Sequence, residues 1–365
     1  MSWLLAFCGF ALLIILHELG HFTAAKAVGM RVERFSLFFP PLIARKKVGE
    51  TEYAIGAIPF GGYVKISGMN PDEDLPDEVR TRAYYSQPVW KRVTVIAAGP
   101  AVNLVLAFLL LFVFFWLIGP RDAATPPHVA AIERAMPAAG ELKPGDTMVS
   151  VDGVKGDAQR LADQIQTHKC AGTPHQGCKA STPAVVVVDR DGKRVTLRIT
   201  PVYDAHPGDG NPRTRLGFGF ADDGPRVTLP FGTALDASVD QFGYVAGQTL
   251  SLPARLINPE QRKELSGVVG SYEVTRQTIL DDIGRVVLVL AVISLSLAIV
   301  NLFPFLPLDG GHIFWAIVEK IRRRPVPFSV MERAGVVGFM VVILIFLVGL
   351  SNDIGRLSGE GFGVR

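Results

Sequence analysis

Four long apolar stretches alternate along the chain with segments that hold most of its charged residues. The stretches run from about Trp3 to Val28, Val93 to Gly119, Val286 to Leu308 and Ala334 to Asn352. Coiled as a helix, each stretch is long enough to cross a hydrocarbon core of about 30 Å. The pattern therefore predicts an α-helical polytopic membrane protein with four transmembrane helices embedded in the lipid bilayer.

The segment between the first two stretches, residues 32–66, has the pattern of a β-hairpin. Two apolar runs, Arg34–Pro41 and Tyr53–Lys65, flank a basic turn at Arg45–Gly49. Their apolar content is too high for a solvent-exposed loop. One interpretation is a membrane-associated hairpin, whose backbone must be satisfied by protein or by a wet cavity. The other is a small cytoplasmic hairpin that packs on the helix ends.

Residues 125–204 have the character of a water-exposed domain. Two strands are predicted at Val129–Ile132 and Met148–Gly153, and a helix at Arg160–Thr167. A hairpin follows, in which Ala184–Val188 and Val195–Ile199 flank a turn at Asp191-Gly192. This order resembles an α/β PDZ domain of the bacterial type, in which the run before Gly145-Asp146 is typical. PDZ domains bind the C-termini of extended peptides. A small α/β domain without a peptide ligand is the alternative.

These patterns divide the chain into four parts. Residues 1–119 form the first part of a membrane core, and 283–352 form the second part, with the last two transmembrane helices. Residues 125–204 form the inserted PDZ domain. Residues 225–282 are predicted to be a linker or interfacial helical region, with an amphipathic helix at Ala234–Leu252.

The charge distribution predicts the orientation of the chain in the membrane. Basic residues concentrate in two loops; they include Arg45–Lys47, Arg80, Arg82, Lys91 and Arg92 in the first loop, and Lys320 and Arg322–Arg324 in the second. By the positive-inside rule both loops face the cytoplasm, so residues 120–282 face the outside. The net charge is only +3. Topology explains the basic residues, and no nucleic-acid partner is expected.

The three cysteines fall in two different environments. Cys8 lies in the first apolar stretch and is predicted to be a small buried hydrophobic residue. Cys170 and Cys178 lie in the segment assigned to the outside, where a disulfide is plausible. The alternative is a zinc site that adds His168 and His175, although this spacing matches no common zinc finger.

The first apolar stretch contains the sequence His-Glu-Leu-Gly-His. His17 and His21 share one face of a helix, so both imidazoles can bind one metal ion. Glu18 is a candidate general base for water at that metal. Ionisable groups are costly inside a membrane and are usually functional there. A cleaved signal peptide is the alternative interpretation, but the stretch lacks a basic region at its start.

A third metal ligand is expected from another part of the chain. A catalytic zinc ion usually has three protein ligands and one open position. Asp309 is the first charged residue after the third apolar stretch, where Pro304, Pro307 and Gly310-Gly311 break the helix. The break lets its carboxylate turn inward. Asp309 is therefore the candidate third ligand to a metal ion held by His17 and His21.

These motifs together resemble the site-2 protease family, peptidase family M50, in its single-PDZ form. The resemblance rests on the HELGH sequence, the run from Asn301 to His312 and the PDZ-like domain; the Gly99–Asn103 and Phe60–Lys65 runs also match. It implies an intramembrane zinc metalloprotease with zinc on His17, His21 and Asp309 and with Glu18 as general base. It also implies substrate binding by Asn301 and by a hairpin strand that contains Gly61, Gly62 and Tyr63.

The resemblance further implies regulated intramembrane proteolysis in a bacterial inner membrane. The expected partners are single-span transmembrane proteins, such as anti-sigma factors or remnant signal peptides, and peptide C-termini at the PDZ domain. The active site would lie near the cytoplasmic side and the PDZ domain outside. The family's Gly-Pro-Val-Gly-Ile element is matched only by Gly267–Ser271, so the role of that region stays open.

Three other classes of protein compete with this interpretation. CAAX-type and heat-shock-type membrane zincins use a downstream glutamate ligand and lack a PDZ insertion. A metal transporter would repeat its His/Glu clusters in several helices, whereas only one apolar stretch here has such a cluster. A non-catalytic PDZ scaffold would be expected to lose one of the four residues His17, Glu18, His21 and Asp309. All four are present.

Overall fold

The computed structural model describes two compact units. The described residues are 2–70, 73–121, 126–133, 135–170, 172–205, 212–221, 224–258, 262 and 267–358. The first unit comprises Met1–Leu117 and Leu229–Val364, and the second comprises Ile118–Thr228. Positions 125, 134 and 171 of the predicted PDZ domain, and positions 259–261 and 263–266 of the predicted linker, lie outside the described residues.

The helices and strands follow one another in a simple order. The first unit begins with α1 (Ser2–Ala27), β1 (Val32–Val48), β2 (Thr51–Ile66), α2 (Asp77–Arg80) and α3 (Val89–Val113), which continues as a π-helical turn (Phe114–Ile118). The second unit contains β3 (Val129–Ile132), β4 (Thr147–Val151), α4 (Ala158–Gln166), β5 (Ala184–Arg190), β6 (Lys193–Ile199), β7 (Val202–Asp204), β8 (Arg213–Arg215) and β9 (Phe218–Phe220). The first unit resumes with α5 (Phe231–Leu250), α6 (Leu252–Ile257), α7 (Val268–Asp281), α8 (Ile283–Asn301), α9 (Asp309–Arg322) and α10 (Phe328–Ser358).

Among the described residues, four helical stretches are long and apolar enough to cross a membrane. They are Leu4–Ala27, Val89–Ile118, Gly284–Asn301 and Ser329–Gly355. Four predicted stretches are thus matched by four helices. The third ends at Asn301, so its predicted extension to Leu308 is wrong. Proline interrupts helical hydrogen bonding at positions 304 and 307, and a new helix begins at Asp309.

The membrane helices of the first unit pack through small and aliphatic side chains. Ala107 on α3 and Leu295 on α8 are fully buried in one cluster. The α5 helix joins this cluster through Phe242 and Val245, so the predicted amphipathic helix packs on two apolar helices. Cys8 is exposed on α1, and its prediction as a buried residue is wrong. Leu4 and Leu12 are exposed on the same helix, as expected for surface that meets lipid.

The hairpin forms four strand segments side by side. Arg34–Leu37 pairs with Gly62–Lys65 on one side and with Glu52–Ile55 on the other, while Ala44–Val48 pairs with Thr51–Ile55. The Gly62–Ile66 segment is therefore an edge of this sheet. No described strand pairs with its outer side.

Contacts with α1 show where the hairpin lies along that helix. Phe35 packs edge-on against Phe22, and Phe38 lies 5.9 Å from Phe7 between ring centroids. Phe7 and Phe22 are fifteen positions apart on the helix, about 22 Å along its axis. The hairpin thus runs beside α1 rather than only at its end, and its association with the membrane stays a prediction. Ile43 and Ile55, two apolar residues of the hairpin, are exposed.

The second unit has its own core and matches the predicted order of elements. The β4–β5–β6 sheet, the β3–β9 pair and α4 enclose buried side chains that include Val151, Leu161 and Val186. Asp146 is 2% exposed and accepts two hydrogen bonds of 2.7 Å from Arg190. These bonds hold the pKa of Asp146 below its usual value.

The two cysteines of the second unit pair with each other. Cys170 and Cys178 form a disulfide with their Cα atoms 5.9 Å apart, as predicted. His168 instead donates a hydrogen bond from Nε2 to the Asp152 carboxylate, and its Nδ1 lies 2.9 Å from the Thr182 hydroxyl. The alternative zinc site is therefore wrong, because its sulfur atoms are bonded to each other and His168 is engaged elsewhere.

Candidate metal centre

The first two candidate ligands lie one helical turn apart on α1. His17 and His21 are each 7% exposed, and their Nε2 atoms are 3.2 Å apart. Successive turns of a helix place side chains four residues apart on the same face. The local sequence alone is thus sufficient to bring these two nitrogen atoms together.

The third candidate ligand arrives through the turn between α8 and α9. Asp309 is the first residue of α9, and its Oδ2 atom lies 3.2 Å from His17 Nε2 and 3.4 Å from His21 Nε2. Gly310 and Gly311 let the start of α9 pack against the backbone of residues 302–306, because a Cβ at either position would overlap it. The glycines therefore allow the approach that places Asp309.

The three atoms fit a zinc ion. Zinc binds histidine nitrogen and carboxylate oxygen at about 2.0–2.2 Å, and a tetrahedral arrangement puts such ligand atoms about 3.3 Å apart. The observed separations are 3.2, 3.2 and 3.4 Å. Asp309 Oδ2 is buried and receives no hydrogen bond from any residue that the structure describes. Lone pairs that face one another away from water are costly unless a proton or a metal cation lies between them, so the cluster suits a bound cation.

Contacts with α3 orient both imidazoles. His21 Nδ1 lies 2.9 Å from the carbonyl oxygen of Val95, and His17 Nδ1 lies 3.4 Å from the amide Nδ2 of Asn103. Gly99 lies midway between Val95 and Asn103 on α3, and a Cβ at this position would overlap the His21 ring. A hydrogen-bond partner on Nδ1 holds an imidazole ring so that its Nε2 atom points at the metal position.

A cavity of about 450 Å³ opens beside this cluster. Its lining includes all the predicted site residues, namely His17, Glu18, His21, Gly61, Gly62, Tyr63, Asn301 and Asp309. Glu18 lies against Gly62 of the edge strand. The fold thus brings residues from α1, β2, α8 and α9 to one place. Their individual roles remain proposals.

Sequence reasoning assigned no role to several residues at this site. Gly99 and Asn103 belong to the Gly99–Asn103 run that resembles the family, which gives neither residue a role, yet both contact the histidine rings. His312 lines the cavity three residues after Asp309. A signal was present for Asn103, since an amide within a long apolar span usually has a partner or a function.

The geometry defines a class of protein, a zinc hydrolase of the HExxH type whose metal centre is enclosed by apolar helices. The family model described as Peptidase family M50 matches residues 5–345 of this chain. The chain therefore belongs to peptidase family M50, the site-2 proteases. It is a zinc-dependent metalloprotease with several membrane helices.

Relatives from several bacteria align with most of the chain. A candidate zinc metalloprotease of Mesorhizobium japonicum is 32% identical over 365 residues, which cover 93% of this chain and 95% of the relative. One from Nostoc sp. is 30% identical over 362 residues, covering 96% and 93%. Zinc metalloprotease Rip1 of Mycobacterium tuberculosis is 31% identical over 339 residues, covering 85% and 83%. The predicted membership of peptidase family M50 is confirmed, and the single-PDZ form stays a prediction.

Proposed function

We propose that this protein performs regulated intramembrane proteolysis and cleaves single-span membrane proteins within the bilayer. One observation carries the proposal: three candidate metal ligands lie together among apolar helices, in a cavity bordered by a strand edge that pairs with no other described strand. A substrate that reaches this cavity from the lipid must itself be a membrane segment. Anti-sigma factors and remnant signal peptides are the proposed substrate types.

The proposed chemistry assigns one role to each polar residue. His17, His21 and Asp309 would hold the zinc ion, which when bound supplies Lewis acidity and an activated water molecule. Glu18 would accept a proton from the attacking water and deliver it to the leaving amine nitrogen. The Asn301 amide would donate a hydrogen bond to the substrate carbonyl oxygen, where negative charge develops.

The edge strand offers a way to hold the substrate in an extended form. The carbonyl groups of a transmembrane helix are hydrogen-bonded internally, so the helix must unwind before water can attack. The outer side of Gly62–Ile66 has backbone donors and acceptors for an added strand. Gly61, Gly62 and Tyr63 line the cavity beside Glu18. Strand addition would therefore place an unwound peptide next to the proposed general base.

The second unit is proposed to be a PDZ domain on the outer side of a bacterial plasma membrane. Its strand and helix order is the support for this assignment, and its ligands would be peptide C-termini. It would restrict cleavage to substrates already shortened outside. The basic loops support the orientation, with the active site near the cytoplasmic side.

A Glu18→Gln variant tests the proposed mechanism. The amide cannot accept the proton, so we expect cleavage of a tagged single-span substrate to fall about 10²- to 10⁴-fold. Zinc content should be unchanged, because Glu18 is not one of the clustered ligands. Leu19→Ala, an exposed position of α1, is the matched control and should cleave normally. Persistent cleavage by Glu18→Gln with zinc bound would exclude Glu18 as the base.

A further inference from the structure

The α3 helix presents a repeating set of partners to the two histidines. Val95, Gly99 and Asn103 are spaced four residues apart, so they lie along one face of α3. The Val95 carbonyl faces His21 and the Asn103 amide faces His17, while Gly99 leaves room for the His21 ring. Each histidine thus has its own outer partner on α3.

Asn103 also makes a backbone contact with α8. It is fully buried, and its backbone carbonyl accepts a hydrogen bond of 3.0 Å from the Ser294 hydroxyl of α8. Its side-chain Oδ1 has no hydrogen-bond partner among the residues that the structure describes. A buried amide oxygen without a donor costs free energy unless something satisfies it.

The protonation of a metal-bound histidine supplies the missing donor. A neutral imidazole that binds a metal through Nε2 carries its hydrogen on Nδ1. The Asn103 Nδ2 group, which lies nearest to that nitrogen, is itself a donor and cannot accept it. Because the two ends of an amide have the same shape, a half-turn exchanges them and places Oδ1 beside His17 Nδ1.

We propose that Asn103 is a positioning residue for zinc binding, whose amide oxygen accepts a hydrogen bond from His17 Nδ1–H. The bond holds the His17 ring with Nε2 toward His21 and Asp309. This inference rests on the proposed metal site. It assigns to Asn103 a part of the zinc affinity, in addition to any packing role between α1, α3 and α8.

Zinc affinity of the full-length protein in detergent, measured by competition with a chelator, tests the inference. Asn103→Leu keeps the side-chain size and removes the acceptor, so we expect zinc binding about 10- to 100-fold weaker. Asn103→Asp keeps an acceptor at the same place, and its affinity should stay close to that of the unaltered protein. Ser294→Ala is the structural control. It removes the bond to the Asn103 backbone and should lower thermal stability without weakening zinc binding.

The outcomes separate this inference from the proposed site. If Asn103→Leu folds and binds zinc as tightly as the unaltered protein, Asn103 does not position His17. If Asn103→Asp binds as weakly as Asn103→Leu, the amide acts as a donor and the inference is wrong. His17→Ala tests the site itself, since retention of tight zinc binding there would overturn the ligand set instead.

Discussion

Gly99 determines how closely α3 can approach the candidate metal ligands. A Cβ at this position would overlap the His21 imidazole. The Gly99→Ala substitution therefore must displace either the ring or the helix. Because the zinc ligands must keep their mutual separations, we expect weaker zinc binding and a loss of proteolysis. Chelator competition and a cleavage assay on the same preparation measure both effects.

Gly247→Ala is the matched control for this substitution. Gly247 lies within α5, and a Cβ there meets no atom within 4 Å. Alanine is the better helix former by about 1 kcal/mol, so this variant should be as stable as the original protein or more so. Normal zinc affinity in Gly99→Ala would show that the site tolerates the displacement.

At the residue scale, the sequence was sufficient to identify the candidate ligands that the fold brings together, and insufficient to identify their partners. His17, Glu18, His21 and Asp309 are visible because charged and metal-binding side chains are rare in apolar segments. Val95 and Asn103 act through contacts with α1, more than seventy residues away along the chain. Such contacts depend on which helices pack together and on how far each is shifted along its axis relative to the other. Local sequence patterns encode neither property.

At the scale of elements, the hairpin provides the surface on which the substrate is proposed to bind. Arg34–Leu37 of β1 pairs with two segments of β2, Glu52–Ile55 and Gly62–Lys65. This arrangement leaves Gly62–Ile66 at the edge of the sheet that borders the cavity. The hairpin itself was predictable from two apolar runs around a basic turn. The additional pairing of Arg34–Leu37 with Gly62–Lys65 was not, because register between distant segments is set by tertiary packing.

Cross-linking distinguishes strand addition from docking of a helix. Cys8→Ser, Glu18→Gln and Lys65→Cys are combined, because Lys65 lies on the edge strand and its side chain is half-exposed. Single cysteines are then placed at successive positions of a single-span substrate. Alternate positions should cross-link, since side chains along a strand alternate between two faces.

A period of three to four positions would instead indicate a helical substrate and contradict strand addition. Lys47→Cys, near the basic turn of the same hairpin, is the control and should give no such series. Zinc remains bound in this background if Glu18 is not a ligand, so the site is intact while the substrate is trapped.

At the scale of the whole molecule, the order of membrane helices determines which side each segment faces. One apolar helix, α1, precedes the hairpin, and a second, α3, precedes the second unit. By the positive-inside rule, the basic loops support the proposal that the hairpin turn and the α9–α10 connection face the cytoplasm and that the second unit is exported. A disulfide in the second unit suits the outer compartment.

Thiol labelling in intact spheroplasts tests this arrangement. Lys47→Cys, Lys193→Cys and Arg324→Cys place one exposed cysteine in each of three segments, in a Cys8→Ser background with Cys170 and Cys178 bonded to each other. A membrane-impermeant maleimide should label only the cysteine at position 193, because α3 carries the chain across the bilayer before the second unit. The other two should react only after permeabilisation. The reverse pattern would invert the orientation, and labelling of positions 47 and 193 together would mean that α3 does not cross the membrane.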